Sequence, residues 1–383
     1  MRCFFLFYRF NLLQSSRFAA LFVVWAAAWL VHADRSSWPI DHWAPVAING
    51  TRLWLSVFGS SPDAPIVLFV HGGPGATETA FVRRFHAPLG ERCLVATYDQ
   101  RGAGKSYSRA VFRDSLTIGL YVQDLVAVAR HLVETYSQEK VVVVGHSWGS
   151  IIAPLAVRQH PELFSAYIGT GQVVNVAQGE QLSYAFALRQ ARKTGNTHAV
   201  RQLTRLGPPC DGVYGSERQD IAGAIGALSR QRQWLRRLGG MYYRGAFRDK
   251  LVAAFHRSEQ YSFIDRLRYA RGARLSARAL WPEIAQVDLA RQVPCLAVPV
   301  WFCLGRYDHN TPSGLAAEYL SDLKAPWKER VWFERSGHSP ALEETGKFHR
   351  LILERVLPRT RGVGTGSMPG EGIPAEHVLD ELR

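Results

Sequence analysis

Cysteine is scarce in this chain, with five residues in 383, and no cysteine or histidine spacing matches a metal-ligand pattern. Cys3 lies in the N-terminal segment. Cys93, Cys210, Cys295 and Cys303 remain, an even number that allows bridges but is too sparse for a dense disulfide framework. Cys93 precedes an apolar run and Cys303 sits within one, places where a buried thiol behaves as a small apolar side chain. No bridge, thiol nucleophile or metal is assigned. Acidic residues are also in deficit: 32 Asp and Glu face 46 Lys and Arg, a formal net charge of +14. Such a balance raises an anionic partner, membrane lipid or nucleic acid. No helix-turn-helix, zinc-finger or RNA-binding signature accompanies it, so no nucleic-acid partner is assigned, and an arginine-rich composition explains the charge without one. A disorder-like bias is missing too. With 47% apolar and 20% charged residues the composition is that of a globular chain able to bury a large core.

The N-terminal apolar run, Phe18 to Val31, falls short of the about 20 residues a spanning helix needs. Arg2, Arg9 and Arg17 precede it, and Val31-His32-Ala33 offers a small-residue cleavage pattern. Residues 1–33 are therefore expected to be a signal peptide, the mature chain starting near Asp34 in the periplasm or outside the cell. One alternative is an uncleaved anchor that recruits the Cys3 to Leu13 stretch, its positive end on the cytoplasmic side. Another is a mis-assigned start codon. Any membrane association is expected through this segment.

The most informative stretch is Val141-Val142-Val143-Val144-Gly145-His146-Ser147-Trp148-Gly149-Ser150, a buried strand running into a G-x-S-x-G turn. Glycines flanking the serine let strand turn sharply into helix, which exposes the hydroxyl. Upstream, Ile66 to Val70 leads into His71-Gly72-Gly73-Pro74-Gly75, where backbone N–H groups can approach a substrate oxygen. Leu94 to Tyr98 leads into Asp99-Gln100-Arg101-Gly102-Ala103-Gly104-Lys105-Ser106. Gly104-Lys105-Ser106 imitates the end of a phosphate-binding loop, but Asp99 stands where that loop needs its first glycine. Downstream, the apolar run Val298 to Leu304 ends in Gly305-Arg306-Tyr307-Asp308, and Val331-Trp332-Phe333 is followed by Ser336-Gly337-His338-Ser339-Pro340.

These five motifs, HGGPG, DQRGAGKS, GHSWGS, GRYD and SGHSP, in this order, resemble those of the proline iminopeptidase-like serine peptidases of the α/β-hydrolase superfamily. The resemblance covers roughly residues 46–170 and 290–357. It implies an α/β-hydrolase fold, a mostly parallel sheet with helices on both faces and an inserted helical cap, and a serine, aspartate, histidine triad in that chain order. Alternating strands and helices point to the same class. Ser147 is the candidate nucleophile, His338 the general base and Asp308 the carboxylate that fixes the imidazole tautomer. His338 could instead be a structural loop histidine, and Asp308 a cap before Thr311-Pro312. His71 and His146 are rivals for the base, but each lies beside a glycine turn that it is better placed to prop. The backbone N–H groups of Gly73 and Trp148 are the candidate oxyanion hole. This chemistry calls for no cofactor.

Five segments are expected: 1–33, the signal peptide or anchor; 40–173, the first part of the core; 174–290, the cap; 291–358, the second part of the core; and 359–383, a Gly/Pro-rich flexible tail with a short helix over Ala375 to Leu382. Asn49-Gly50 signals a hairpin between Val46–Ile48 and Thr51–Leu55, apolar spacing predicts a helix over Leu120 to Val133, and Pro154 is expected to kink the helix after Ser147. In the cap, helical segments are expected at Tyr184–Lys193, Thr197–Leu206 and Asp220–Leu238, roofing the active site; the alternative is a helical domain unrelated to it. The resemblance implies a substrate with a free N-terminus, a small peptide, its ammonium bound by cap glutamates. Glu180, Glu217 and Glu259 are the candidates, although none lies in the aromatic-rich motif the family uses, and the arginine-rich cap suits a neutral or anionic substrate better. The alternatives are an esterase or amidase acting on another small acyl substrate, a catalytically inactive hydrolase-fold binding protein, and a protein that binds anionic surfaces.

Overall fold

The structure, a computed structural model, describes residues 38–113, 115–215, 220–244 and 247–360. The proposed signal peptide or anchor, Glu217 and the tail with its short helix lie outside the described residues. Among these, no helix is long and apolar enough to cross a membrane.

Eight strands form one sheet in the order β1-β2-β4-β3-β5-β6-β7-β8. The hairpin β1 (Ile40–Ile48) and β2 (Thr51–Gly59) turns through Asn49 and Gly50, both at positive φ, with Ile48 paired to Thr51. Two successive positive φ values define the hairpin turn whose twist matches the strands it joins. β2 runs antiparallel to β4 (Leu94–Asp99), and from there β3 (Ile66–Val70), β5 (Val141–His146), β6 (Phe164–Thr170), β7 (Val300–Gly305) and β8 (Lys328–Phe333) are parallel. β3 and β4 are buried at every position because helices cover both faces. β7 starts at Val300, two residues later than the apolar run suggests, and Pro299, which has no N–H to donate, stands just before it.

α1 (Thr79–Phe85), α2 (Ile118–Thr135) and α3 (Gly149–Gln159) flank the first half of the sheet. In α2, Thr117 caps the N-terminus by accepting from the Leu120 N–H, and Val122, Leu125, Ala129 and Leu132 bury a helical stripe. After β6 the chain forms α4 (Val176–Lys193), α5 (Thr197–Leu206), α6 (Ile221–Arg237), α7 (Phe247–Arg257) and α8 (Phe263–Ile284), then rejoins the sheet at β7, followed by α9 (Ser313–Asp322). α4 starts well before Tyr184 because Asn175 caps it, accepting from the Gln178 N–H. The Asn175 amide also donates to Asp288 at 3.0 Å, and Val176 N–H and Leu289 N–H bond to the carbonyls of Val287 and Val174. The insertion therefore departs from and returns to one point. It has its own small core, in which Phe186, Leu203, Trp234 and Leu235 meet.

Candidate active site

β5 ends at His146 and α3 begins at Gly149, leaving Ser147 at the bend with φ of 53°. A side chain at Gly149 would strike the Val70 carbonyl and one at Gly145 the Gly149 carbonyl, so the tight approach of elbow to neighbouring strand demands both glycines. Pro154 within α3 has no N–H for the carbonyl of Ser150, four residues earlier. The Gln172 side chain, on the loop after β6, supplies the missing donor at 3.0 Å. Ser150 in turn donates its hydroxyl to the Ser147 carbonyl at 2.6 Å and accepts from the Val173 N–H at 2.9 Å.

Asp308, on the loop after β7, and His338, on the loop after β8, reach the same place. Ser147 Oγ lies 2.9 Å from His338 Nε2, and His338 Nδ1 lies 3.0 Å from Asp308 Oδ2. Both Asp308 and His338 are buried. Burial alone would raise the Asp308 pKa, but the neighbouring His338 and bonds from Thr311 outweigh it and hold the carboxyl below its ordinary range. The Asn310 and Thr311 N–H groups donate to its Oδ1 at 2.9 and 3.0 Å, while Oδ2 faces His338. These bonds close the loop on itself rather than cap a helix, since the next helix starts at Ser313 with Pro312 before it. Asn310 also places its amide nitrogen 3.0 Å from His338 Nε2.

The two rival histidines take different places. His71 donates from Nδ1 to the Gly72 carbonyl and accepts at Nε2 from the Gln100 N–H, and burial lowers its pKa, so it is a neutral prop. His146 faces two acceptors, Glu78 at 2.7 Å from Nδ1 and the His338 carbonyl at 3.0 Å from Nε2. Burial would lower its pKa, but the Glu78 charge and these bonds raise it on balance, which favours the imidazolium. Glu78 escaped the sequence reading; a carboxylate close after the HGGPG turn was its only signal.

The DQRGAGKS turn is fully engaged by the protein itself. Asp99 accepts from Thr79, Tyr261 and the Lys105 N–H at 2.9, 2.7 and 2.8 Å, so the Lys105 N–H is already taken by a carboxylate of the same turn. Gln100 accepts from the Trp148 indole at 2.7 Å and Lys105 reaches Asp265 of α8 at 3.2 Å, which ties this turn to both the elbow and the inserted helices.

A cavity of about 220 Å³ opens on Ser147. Gly73 and Trp148 line it, and Ile151, Val174, Leu228, Trp281 and Leu315 make its wall apolar. Glu180 of α4 also lines it, buried, and meets Arg232 of α6 at 2.9 Å, while a second Arg232 nitrogen contacts the other carboxylate oxygen. Glu259 is exposed, outside this cavity. Among the described residues no group of three His, Cys, Asp or Glu side chains could hold a metal ion.

A parallel sheet whose strand ends present a serine on an elbow, an aspartate and a histidine is the architecture of an α/β hydrolase. Residues 65–204 match the family model for the alpha/beta hydrolase fold. Over 311 residues the chain is 32% identical to the probable aminopeptidase YbaC of Bacillus subtilis (strain 168), covering 80% of this chain and 93% of that protein. A 124-residue stretch is 34% identical to the proline iminopeptidase of Xylella fastidiosa (strain Temecula1), covering 32% of this chain and 37% of that one. Among solved structures, the proline iminopeptidase-related protein of Thermus thermophilus shares the fold with a TM-score of 0.59 at 17% identity, over 84% of this chain and 99% of that one. The chain belongs to the proline iminopeptidase-like α/β hydrolases and is an enzyme of the hydrolase class.

Proposed function

We propose that this protein is a serine aminopeptidase of proline iminopeptidase type that releases N-terminal residues from small peptides through an acyl-enzyme. The observation that carries the reading is the hydrogen-bonded series from Ser147 through His338 to Asp308, opening on a pocket with a carboxylate in its wall. Ser147 Oγ attacks the scissile carbonyl carbon as His338 Nε2 takes its proton, and Asp308 stabilises the imidazolium. The N–H groups of Trp148 and Gly73, two residues that line the cavity, would hold the oxyanion; one such donor contributes roughly 3 kcal/mol to the transition state. His338 then protonates the leaving amine, and a water, activated by the same imidazole, releases the acyl group as the free acid. Glu180 is the group that would hold the substrate's ammonium. Similarity to the Bacillus subtilis aminopeptidase over most of both chains favours this substrate class.

A second reading rests on one specific feature. Both carboxylate oxygens of Glu180 face Arg232, and the rest of the wall is largely apolar, which suits an esterase or amidase acting on a neutral acyl group. Assaying the pure protein against aminoacyl arylamides, proline first, beside their N-acetylated counterparts and short-chain aryl esters separates the two. The aminopeptidase reading expects the free-amine substrates to lead; equal or better turnover of the acetylated ones and the esters replaces it with the second.

A further inference from the structure

α8 is the longest of these helices, and its two faces differ sharply. Its inner face is fixed to the protein by Asp265, Gly272, Ser276 and Leu280, all buried, and its C-terminal end delivers Trp281 and Ile284 to the wall of the cavity. Its outer face begins with three large apolar side chains in water: Phe263 is 71% exposed, Ile264 56% and Leu267 63%. They are followed along the same face by Arg268, Arg271, Arg274 and Arg278, all exposed. At 3.6 residues per turn these seven side chains fall within an arc of about 140°. Asp265 and Glu283 are the helix's only carboxylates. Neither lies on that arc: Asp265 is buried against Lys105, and Glu283 accepts from the Ile118 N–H. Among the described residues none of the four arginines is in an ion pair.

We infer that this face of α8 docks on an anionic lipid bilayer, with Phe263, Ile264 and Leu267 seated in the headgroup boundary and the four arginines against lipid phosphates. The two halves of the face point to the same partner. Apolar side chains this exposed gain from leaving water only where a partner offers an apolar layer, which a bilayer does and a nucleic acid does not. A row of unpaired arginines with no carboxylate among them is complementary to an anionic surface, and the guanidinium fork matches phosphate. The inference is independent of the peptidase reading and of the N-terminal apolar run, since it concerns a folded helix of the inserted segment.

The test is flotation of the full chain with vesicles of phosphatidylcholine, alone or mixed with phosphatidylglycerol, for wild type, Phe263→Ser/Ile264→Ser/Leu267→Ser and Arg268→Glu/Arg271→Glu/Arg274→Glu. Turnover of a soluble aryl ester serves as the control for folding, because none of these side chains lines the cavity. Wild type is expected to bind the anionic vesicles at least about tenfold better than the zwitterionic ones, with the preference fading as salt rises. Both variants should lose that preference about tenfold while keeping ester turnover. Equal binding to both vesicle types, or an anionic preference unchanged in both variants, overturns the inference. So does an apolar variant that binds like wild type while only the charge-reversed one fails and loses heparin retention in parallel; that result makes the face a polyanion site.

Discussion

The Glu78 carboxylate sits 2.7 Å from Nδ1 of His146, so a second carboxylate–imidazole pair lies beside the Asp308–His338 pair that reaches Ser147. His146 hands its other ring proton to the backbone carbonyl of His338, and the two imidazoles lie 5.1 Å apart, centroid to centroid. Glu78 and His146 therefore hold in place the loop that carries the proposed base.

The pair makes a pH-dependent contribution to stability whose sign follows from its shifts. His146 is raised above its ordinary 6.5, so its share is complete below that value and is lost as pH climbs through the raised one. Glu78 is lowered below its ordinary 4.5, because His146 outweighs the burial that would raise it, so its share is complete above 4.5 and is lost as pH falls through the lowered value. Glu78→Gln should therefore destabilise by roughly 1–3 kcal/mol, most of all between the two ordinary values. Thermal unfolding of wild type and variant across a pH series checks this. A gap that stays constant up to strongly alkaline pH would show that no charged pair forms.

Ser147→Ala should leave a folded protein whose hydrolysis falls by at least ~10³-fold, since only the oxyanion site and binding remain. Asp308→Asn should fall comparably, because an amide in place of Oδ2 no longer stabilises the imidazolium at Nδ1. The Ser147→Ala/Asp308→Asn double variant should lose little more than Ser147→Ala alone. Multiplicative losses in kcat/KM would mean that the two side chains do not work as a unit.

On the proposed reading, Glu180 and Arg232 set the choice of substrate. If a substrate ammonium takes Glu180, Glu180→Gln should raise KM for a free-amine arylamide by about tenfold or more and leave its N-acetylated counterpart nearly untouched, since a charged hydrogen bond is worth roughly 1.5–3 kcal/mol. Arg232→Met, which frees the carboxylate, should shift preference further towards the free amine. Parallel effects on both substrates would assign the pair to holding α4 on α6 alone.

The fold was legible because its strands are buried on both faces and so read as continuous apolar runs: Ile66 to Val70, Leu94 to Tyr98 and Val141 to Val144 each occur as strands in the structure. Ser147 and Asp308 stood out because each follows such a run at a glycine turn, and His338 because a glycine turn follows the shorter apolar end of β8; the three side chains do meet. Partnerships across long sequence separations were not legible. Glu180 was a candidate to bind the substrate's ammonium, but its pairing with Arg232 was not visible, because α4 packs against α6 and nothing local in either helix records that register. Glu78 was missed for the same reason, 68 residues from its partner. The outer face of α8 went unremarked because five arginines in one helix read as general basicity until the inner face is known.

Pro154 and Gln172 offer the most stringent check of how the elbow is held. The proline leaves the Ser150 carbonyl without a helical donor, and the Gln172 amide fills the gap while its oxygen accepts from Tyr167 at 2.5 Å. Gln172→Leu keeps the volume but removes the Ser150 carbonyl's donor and the Tyr167 hydroxyl's acceptor, leaving these two groups only their long 3.4 Å contact with each other, a loss of roughly 1–3 kcal/mol in all. Pro154→Ala restores an N–H four residues beyond Ser150, at an entropic cost of about 0.4–1 kcal/mol through the unfolded chain. Alone, that change should be mildly destabilising. In the Gln172→Leu background it should instead recover stability, because the new helical bond satisfies the carbonyl that the glutamine served. Urea unfolding of the four proteins gives the coupling directly, and the expected cycle shows a favourable interaction of about 1 kcal/mol or more between the two substitutions. Strict additivity would show that the Ser150 carbonyl does not depend on Gln172, and the account of how the loop after β6 braces Ser147 would fail with it.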